Sequence, residues 1–185
     1  MTKIIKLKNI EEKGIIEKIK QGYIFIYPTD TVYGIGCNAL NSSSVKKIRE
    51  IKKSKKPFSV IAPSKQWISK NFKIEKKYLR KLPGPFTLIL KMKRKNLVAE
   101  EINLNLKTLG IRIPNHRFTK IIQKSKLPFI TTSVNISREQ LISKVKEIPK
   151  EIFKKVDIVI DNGKSNKTPS TIIDLTKKIP RITKR

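Results

Sequence analysis

Four short runs in this chain set hydroxyls, amides and an arginine at the edges of apolar stretches. They are PTDTVYG (28–34), IRIPNH (111–116), TTSVNIS (131–137) and TPSTIIDL (168–175). Ligand sites in open α/β sheets collect at strand ends, so four such runs can converge on one polar pocket. Hydroxyls, amides and a guanidinium move few protons at neutral pH. They position oxygen-rich groups and stabilise charge, which suits phosphoryl chemistry better than general acid–base catalysis. Asp30 and Asp174 are the carboxylates of these runs. They could pair as acid and base, but each follows a threonine-rich turn, where aspartate often caps the backbone instead.

Other chemistries have no carrier. The sequence has no Gly-x-x-x-x-Gly-Lys-Ser/Thr phosphate loop and no Gly-x-Gly-x-x-Gly opening a helix, and GIG (34–36) lacks the third glycine. His116 is the sole histidine and Cys37 the sole cysteine. No Cys/His metal cluster can form from them, and His116 reads as structural. One cysteine also excludes an internal disulfide, which suits a reducing cytoplasm. No apolar run approaches the roughly 20 residues of a membrane helix. The N-terminus (MTKIIKLKNIEEKG) lacks the apolar core and small-residue cleavage site of a secretion signal.

The formal net charge is +29. A protein this basic attracts polyanions, nucleic acid first among them. Only eight of the 43 basic residues are arginine, however, and the lysines are scattered along the chain. The composition bias of an A+T-rich genome accounts for the excess equally well.

The elements that must position the polar runs follow from periodicity. Asn9 with Glu12 resembles a capping box, Ile10, Ile15, Ile16 and Ile19 recur at helical spacing, and Gly22 is a stop, which predicts a helix over 10–21. YIFIY (23–27) reads as a buried strand ended by Pro28. Ser42–Ser44 open a second amphipathic helix through Val45, Ile48 and Ile51 that ends in lysines. Strands are predicted at 58–62, 87–93, 109–114, 128–133, 156–161 and 170–175. Helices are predicted at 64–82 in two pieces, at 116–125, and at 138–155 with an interruption at Pro149. Residues 96–107 are mixed helix or loop, PGPF (83–86) is a hard break, and a short basic tail closes the chain. Strands and helices alternate without a linker or repeat. The 185 residues therefore form one α/β domain, with a mixed sheet.

PTDTVYGIGCNA, KKSKKPFSVIAPS, PGPFTLIL, GIRIPNH, TTSVNIS and PSTIIDLT occur in the order seen in the YrdC-type family, the threonylcarbamoyl-AMP synthases. The resemblance covers about residues 10–184. It implies a single YrdC-like domain over 1–185, a twisted mixed β-sheet with flanking helices around a deep basic cavity. It implies synthesis of threonylcarbamoyl-AMP from L-threonine, bicarbonate and ATP with release of pyrophosphate, Mg²⁺ accompanying the ATP. The product would serve modification of adenosine 37 in tRNA, so tRNA or the threonylcarbamoyl-transferase machinery is an implied partner, and the cytoplasm the implied place. The competing reading is an RNA-binding module of the same fold without catalysis.

Carried over by motif, Thr31, Tyr33, Arg112, Thr131 and Ser170 are the residues implied for L-threonine. Arg112 stands out as the implied carboxylate clamp, because a guanidinium binds a carboxylate in a bidentate fashion that lysine cannot copy. Lys52, Lys56, Thr108, Ser133, Asn135 and Lys184 are implied for ATP. No residue is assigned a catalytic role, and no protein-held metal is expected. The chain departs from the family in four places, one of them Lys184, with Arg185 beside it, where a closing arginine is usual. Its lysine-rich run is one residue short, with Ser54 where an arginine is usual, so that Lys55 or Lys56 would replace the missing charge. Ile61 stands where the family has a histidine, and SREQLIS replaces a serine-rich run after S-x-N.

Overall fold

In the computed structural model, residues 1–135, 141–166 and 168–184 are described. Ten strands form one mixed sheet: β1 (Lys3–Lys6), β2 (Phe25–Tyr27), β3 (Gly34–Gly36), β4 (Ser59–Ile61), β5 (Phe86–Lys91), β6 (Thr108–Arg112), β7 (Phe129–Ser133), β8 (Ile158–Asp161), β9 (Thr171–Asp174) and β10 (Arg181–Thr183). Their order across the sheet is β1-β8-β2-β3-β7-β4-β6-β5-β9-β10. The β1/β8, β2/β8, β4/β6 and β5/β9 pairs are parallel and the others antiparallel. The helices are α1 (Glu12–Lys20), α2 (Ser42–Lys52), α3 (Lys65–Asn71), α4 (Lys76–Leu79), α5 (Glu100–Asn103), α6 (Arg117–Lys124) and α7 (Lys150–Phe153).

Strand alternation sorts the apolar residues into two cores. Ile26, Ile35, Val60, Leu88, Leu90, Ile111 and Ile130 meet Val45, Ile48 and Ile51 of α2 on one face. On the other face, Phe25, Tyr27, Ile61 and Phe129 meet Ile15 and Ile19 of α1 and Phe118, Ile121 and Ile122 of α6. This second core is narrower. Beyond it, the same face carries Ser59, Thr87, Arg112, Thr131 and Ser133, and there it opens as a polar cavity. The site is thus the uncovered part of a sheet face that two helices cover elsewhere.

Several elements differ from the sequence expectation. Three strands, β1, β3 and β10, were not expected. GIG is neither a nucleotide loop nor a plain turn: it is β3, antiparallel to β2 and β7. The N-cap of α1 is Glu11, whose carboxylate accepts from the backbone N–H groups of Lys13 and Gly14, and not Asn9. The predicted 138–155 helix is largely absent. Residues 138–140 lie outside the described residues, 141–144 are not helical, and 145–147 form one 3-10 turn. There the Glu147 carboxylate accepts from the backbone of Ser143 and Lys144, 2.8 and 3.2 Å away, so the local backbone is satisfied by a side chain instead of a helical ladder. Pro149, which has no N–H to donate, then starts the one-turn α7.

Gly36 is required by the close approach of β3 to β7. A Cβ built there would lie 1.9 Å from the carbonyl oxygen of Ile130. That oxygen is fixed, since it accepts the Tyr27 hydroxyl at 3.0 Å. Gly36→Ala is therefore expected to destabilise the protein by about 3 kcal/mol, read as a lower urea midpoint with an unchanged slope. Gly163→Ala, where no atom lies within 4 Å but φ is +73°, serves as a control for backbone strain alone.

Candidate functional site

The cavity has a volume of about 310 Å³. Of the residues expected for the site, Thr31, Arg112, Thr131, Ser133, Asn135 and Ser170 line it together. They come from the turn after β2, the end of β6, the end of β7 and the residue before β9. Arg112 is buried at the cavity wall, 7 % exposed, and its Nη2 donates to Asp30 Oδ1 and to Thr31 Oγ1, each at 3.1 Å.

Thr29 Oγ1 lies 2.7 Å from the Val32 carbonyl, which can only accept, so the Thr29 proton points there. Thr29 Oγ1 then accepts from the Thr31 N–H at 3.1 Å and from the Thr31 hydroxyl at 2.9 Å. The Thr31 proton is thereby spent on Thr29, and its oxygen accepts from Arg112. A ligand that touches Thr31 Oγ1 in this arrangement must bring a donor, such as an amine or a hydroxyl.

At the other side of the cavity, the Ser133 hydroxyl donates to Asn135 Oδ1 at 2.6 Å. The Lys52 ammonium, on α2 and 4 % exposed, donates to the carbonyl oxygens of Ser133 and Asn135, the latter at 2.6 Å, and to Asn135 Oδ1 at 3.2 Å. Three acceptors match the three protons of an ammonium. Ser170 Oγ and Thr87 Oγ1 lie 2.7 Å apart.

The remaining expected residues are placed elsewhere. The Tyr33 hydroxyl donates to the Gly163 carbonyl at 2.9 Å and accepts from the Asn162 N–H at 3.0 Å, facing an adjoining recess of about 160 Å³ that also holds Asp30 and His116. Thr108 shares a face of β6 with Arg112 but sits at the opposite end, four residues or roughly 13 Å away. Lys52 reaches the cavity wall through its bonds to residues 133 and 135 without lining it. Lys56 is exposed, with its carbonyl accepting from Arg49 at 3.1 Å. Lys184 is exposed beyond β10. Among the described residues, SREQLIS contributes only Leu141 to the lining, while 137–140 lie outside them.

Among the lining residues that were not anticipated are Ser59 and Thr87. The signal was available: each is a polar residue in an apolar strand (FSVIA, TLILK), on the side opposite Val60 and Leu88. His116 proves to be the N-cap of α6, its Nδ1 accepting from the Phe118 N–H at 3.2 Å. Burial lowers its pKa, against the pull of Asp30, which keeps the accepting neutral ring favoured. Asp174 closes a turn by accepting from the Thr176 N–H at 2.9 Å, away from the cavity. Asp30 and Asp174 are therefore not an acid–base pair.

Residues 17–185 match the family model described as Telomere recombination, Sua5_yciO_yrdC. The chain belongs to the Sua5/YciO/YrdC family. A Methanocaldococcus jannaschii member, a putative threonylcarbamoyl-AMP synthase, is 41% identical over 94% of this chain and 86% of its own length. The threonylcarbamoyl-AMP synthase of Pyrococcus abyssi is 33% identical over 86% of this chain and 49% of its own length. Among solved Sua5 structures, P. abyssi Sua5 complexed with L-threonine superposes with a TM-score of 0.85 at 27% identity, covering 98% of this chain and 56% of that one. The chain thus spans about half the length of the Pyrococcus members and most of the Methanocaldococcus one. The twisted mixed sheet with flanking helices is the Sua5 fold, as expected. Among the described residues, no helix is long and apolar enough to cross a membrane.

Proposed function

We propose that this chain is a nucleotidyltransferase that makes L-threonylcarbamoyl-AMP from L-threonine, bicarbonate and ATP. The observation that carries the reading is the gathering of Thr31, Arg112, Thr131, Ser133, Asn135 and Ser170 on one buried polar cavity. It is supported by relatives named for that activity and by a Sua5 structure complexed with L-threonine. In this reading Arg112 takes the amino-acid carboxylate and Thr31 accepts from its amine or hydroxyl, while the Ser133–Asn135 end faces the phosphates.

Threonine amine and bicarbonate combine, with loss of water, to a carbamate. A carbamate oxygen attacks the α-phosphorus and pyrophosphate departs. Two such anions brought to 4 Å repel by about 4 kcal/mol at an effective dielectric of 20. The buried Arg112 and Lys52 charges oppose that repulsion. Mg²⁺ is proposed to enter on the triphosphate, because among the described residues no group of three His, Cys, Asp or Glu could hold it. The product is proposed to serve threonylcarbamoylation of adenosine 37 in tRNA, in the cytoplasm.

The net charge of +29 favours a second reading, an RNA-binding module without catalysis. Purified protein given Mg²⁺ and all three substrates decides between them. Pyrophosphate release that requires threonine and bicarbonate, with threonylcarbamoyl-AMP detected by mass spectrometry, is expected. RNA binding without that product would leave the module.

A further inference from the structure

Among the described residues, Asp30 is the carboxylate that pairs with the cavity's arginine, yet it does not line the cavity. It lines the adjoining recess, with His116, Asn162 and Lys164. Its two oxygens have separate tasks. Oδ1 accepts from Arg112 Nη2 at 3.1 Å, and Oδ2 accepts from the backbone N–H of Asn115 at 2.8 Å. Asn115 lies three residues beyond Arg112, so one carboxylate grips both the guanidinium and the backbone that carries it. The Asp30 carbonyl also accepts from Asn166 Nδ2 at 3.4 Å. The side chains of Asp30 and Arg112 are only 12 and 9 % exposed. Asp30 is thus pinned from β6, from the following loop and from the 162–166 loop.

We propose that Asp30 is the positioning residue for Arg112. From behind the wall it holds the guanidinium at the cavity surface as a fixed charge, and so sets the site's affinity for ligands bearing a carboxylate. The proposal rests on the amino-acid reading of the cavity. A buried guanidinium without a fixed counter-charge relieves its desolvation by swinging toward water or by pairing with any available anion. In both cases the orientation that a bound carboxylate needs must be restored at each binding event, and that cost weakens binding. The opposite outcome is physically possible: if Asp30 only competed with the ligand for Arg112, its removal would tighten binding.

The test titrates wild type, Asp30→Ala and Asp30→Asn with L-threonine, with L-threoninol (the carboxylate replaced by a hydroxymethyl group) and with Mg-ATP, by NMR-observed titration. Asp30→Ala is expected to weaken L-threonine at least tenfold. L-threoninol and Mg-ATP should move less than twofold, so the preference for the carboxylate collapses. Asp30→Asn keeps an oxygen for one of the two bonds without the charge and falls between. It also carries the test if Asp30→Ala does not fold, being isosteric. Unchanged or tighter L-threonine binding in the variants overturns the proposal, as does an equal loss for threonine and threoninol, which would mark a general collapse of the wall. Wild-type protein that binds no L-threonine overturns the amino-acid reading itself, a result distinct from an unaffected variant.

Discussion

Arg112→Lys is expected to weaken L-threonine binding roughly tenfold to a hundredfold while leaving Mg-ATP binding within about twofold. Hydrogen bonds to charged groups contribute about 1.5–3 kcal/mol each, and about 1.4 kcal/mol is tenfold in affinity. The substitution preserves the charge, so the loss reads geometry. One guanidinium nitrogen, Nη2, already serves Asp30 and Thr31 at 3.1 Å, and the planar fork carries its other N–H groups alongside. A lysine ends in a single, smaller nitrogen. It cannot keep both wall contacts and also reach a ligand carboxylate in a fixed plane. Arg112→Met goes further, leaving Asp30, whose side chain is 12 % exposed, without its cation. Breaking a buried pair from one side costs about 3–5 kcal/mol of stability. The lysine variant should therefore melt near wild type and the methionine variant well below it. Equal threonine affinity in wild type and Arg112→Lys would remove Arg112 from the site.

Where sequence and structure agree, the signal was local. LGIRIP alternates so that Leu109 and Ile111 enter the larger core and Arg112 falls on the other face, and that alternation is legible in one strand. Ser133 and Asn135 also meet at the cavity, although by a bend and not by alternation: β7 ends at Ser133, and the Asn135 N–H turns back to the Ser133 carbonyl at 3.1 Å. The misses have physical causes of their own. β3 is three residues long with two glycines, which have poor strand propensity. It exists because β2 and β7 hold it from both sides, and β7 lies about a hundred residues away. β1 and β10 are edge strands, and β1 pairs Lys3 with Ile158, a partner that no local pattern names. Tyr33 shares the PTDTVYG motif with Thr31, and the resemblance implies both for L-threonine. The chain bends through residues 30–32, and the tyrosine turns to the neighbouring recess. Thr108 illustrates the converse. It shares a face of β6 with Arg112, but a shared face does not fix position along a strand. Asp30 was the least assignable residue of PTDT in sequence, since its partners, Arg112 and Asn115, lie more than eighty residues away.

Lys52 divides its role in a way that one variant separates. The sequence offers it as a cation for ATP, and the structure gives its ammonium three acceptors in residues 133 and 135. A lysine that only touched phosphate would leave the ligand-free protein equally stable when replaced. Here Lys52→Met would remove a charged donor from the Ser133 and Asn135 carbonyls and from Asn135 Oδ1 at a site that is 4 % exposed, although the Ser133 carbonyl keeps the Asn135 N–H at 3.1 Å and Oδ1 keeps the Ser133 hydroxyl at 2.6 Å. Hydrogen bonds to charged groups contribute about 1.5–3 kcal/mol each, and the remaining donors together with water entering the vacated space offset part of their loss. A net loss of about 3 kcal/mol is expected in the absence of ATP. At about 2–4 °C per kcal/mol for a chain of this size, the melting temperature should fall by about 6–12 °C. Mg-ATP affinity should fall with it, at least tenfold, because the Ser133–Asn135 segment is the cavity's proposed phosphate side and would no longer be held. L-threonine, bound at the Arg112 side, should be weakened less than ATP. Unchanged ligand-free stability with weakened ATP binding would instead mark Lys52 as a phosphate contact alone. Weakened stability with unchanged ATP binding would move the phosphates away from residues 133–135.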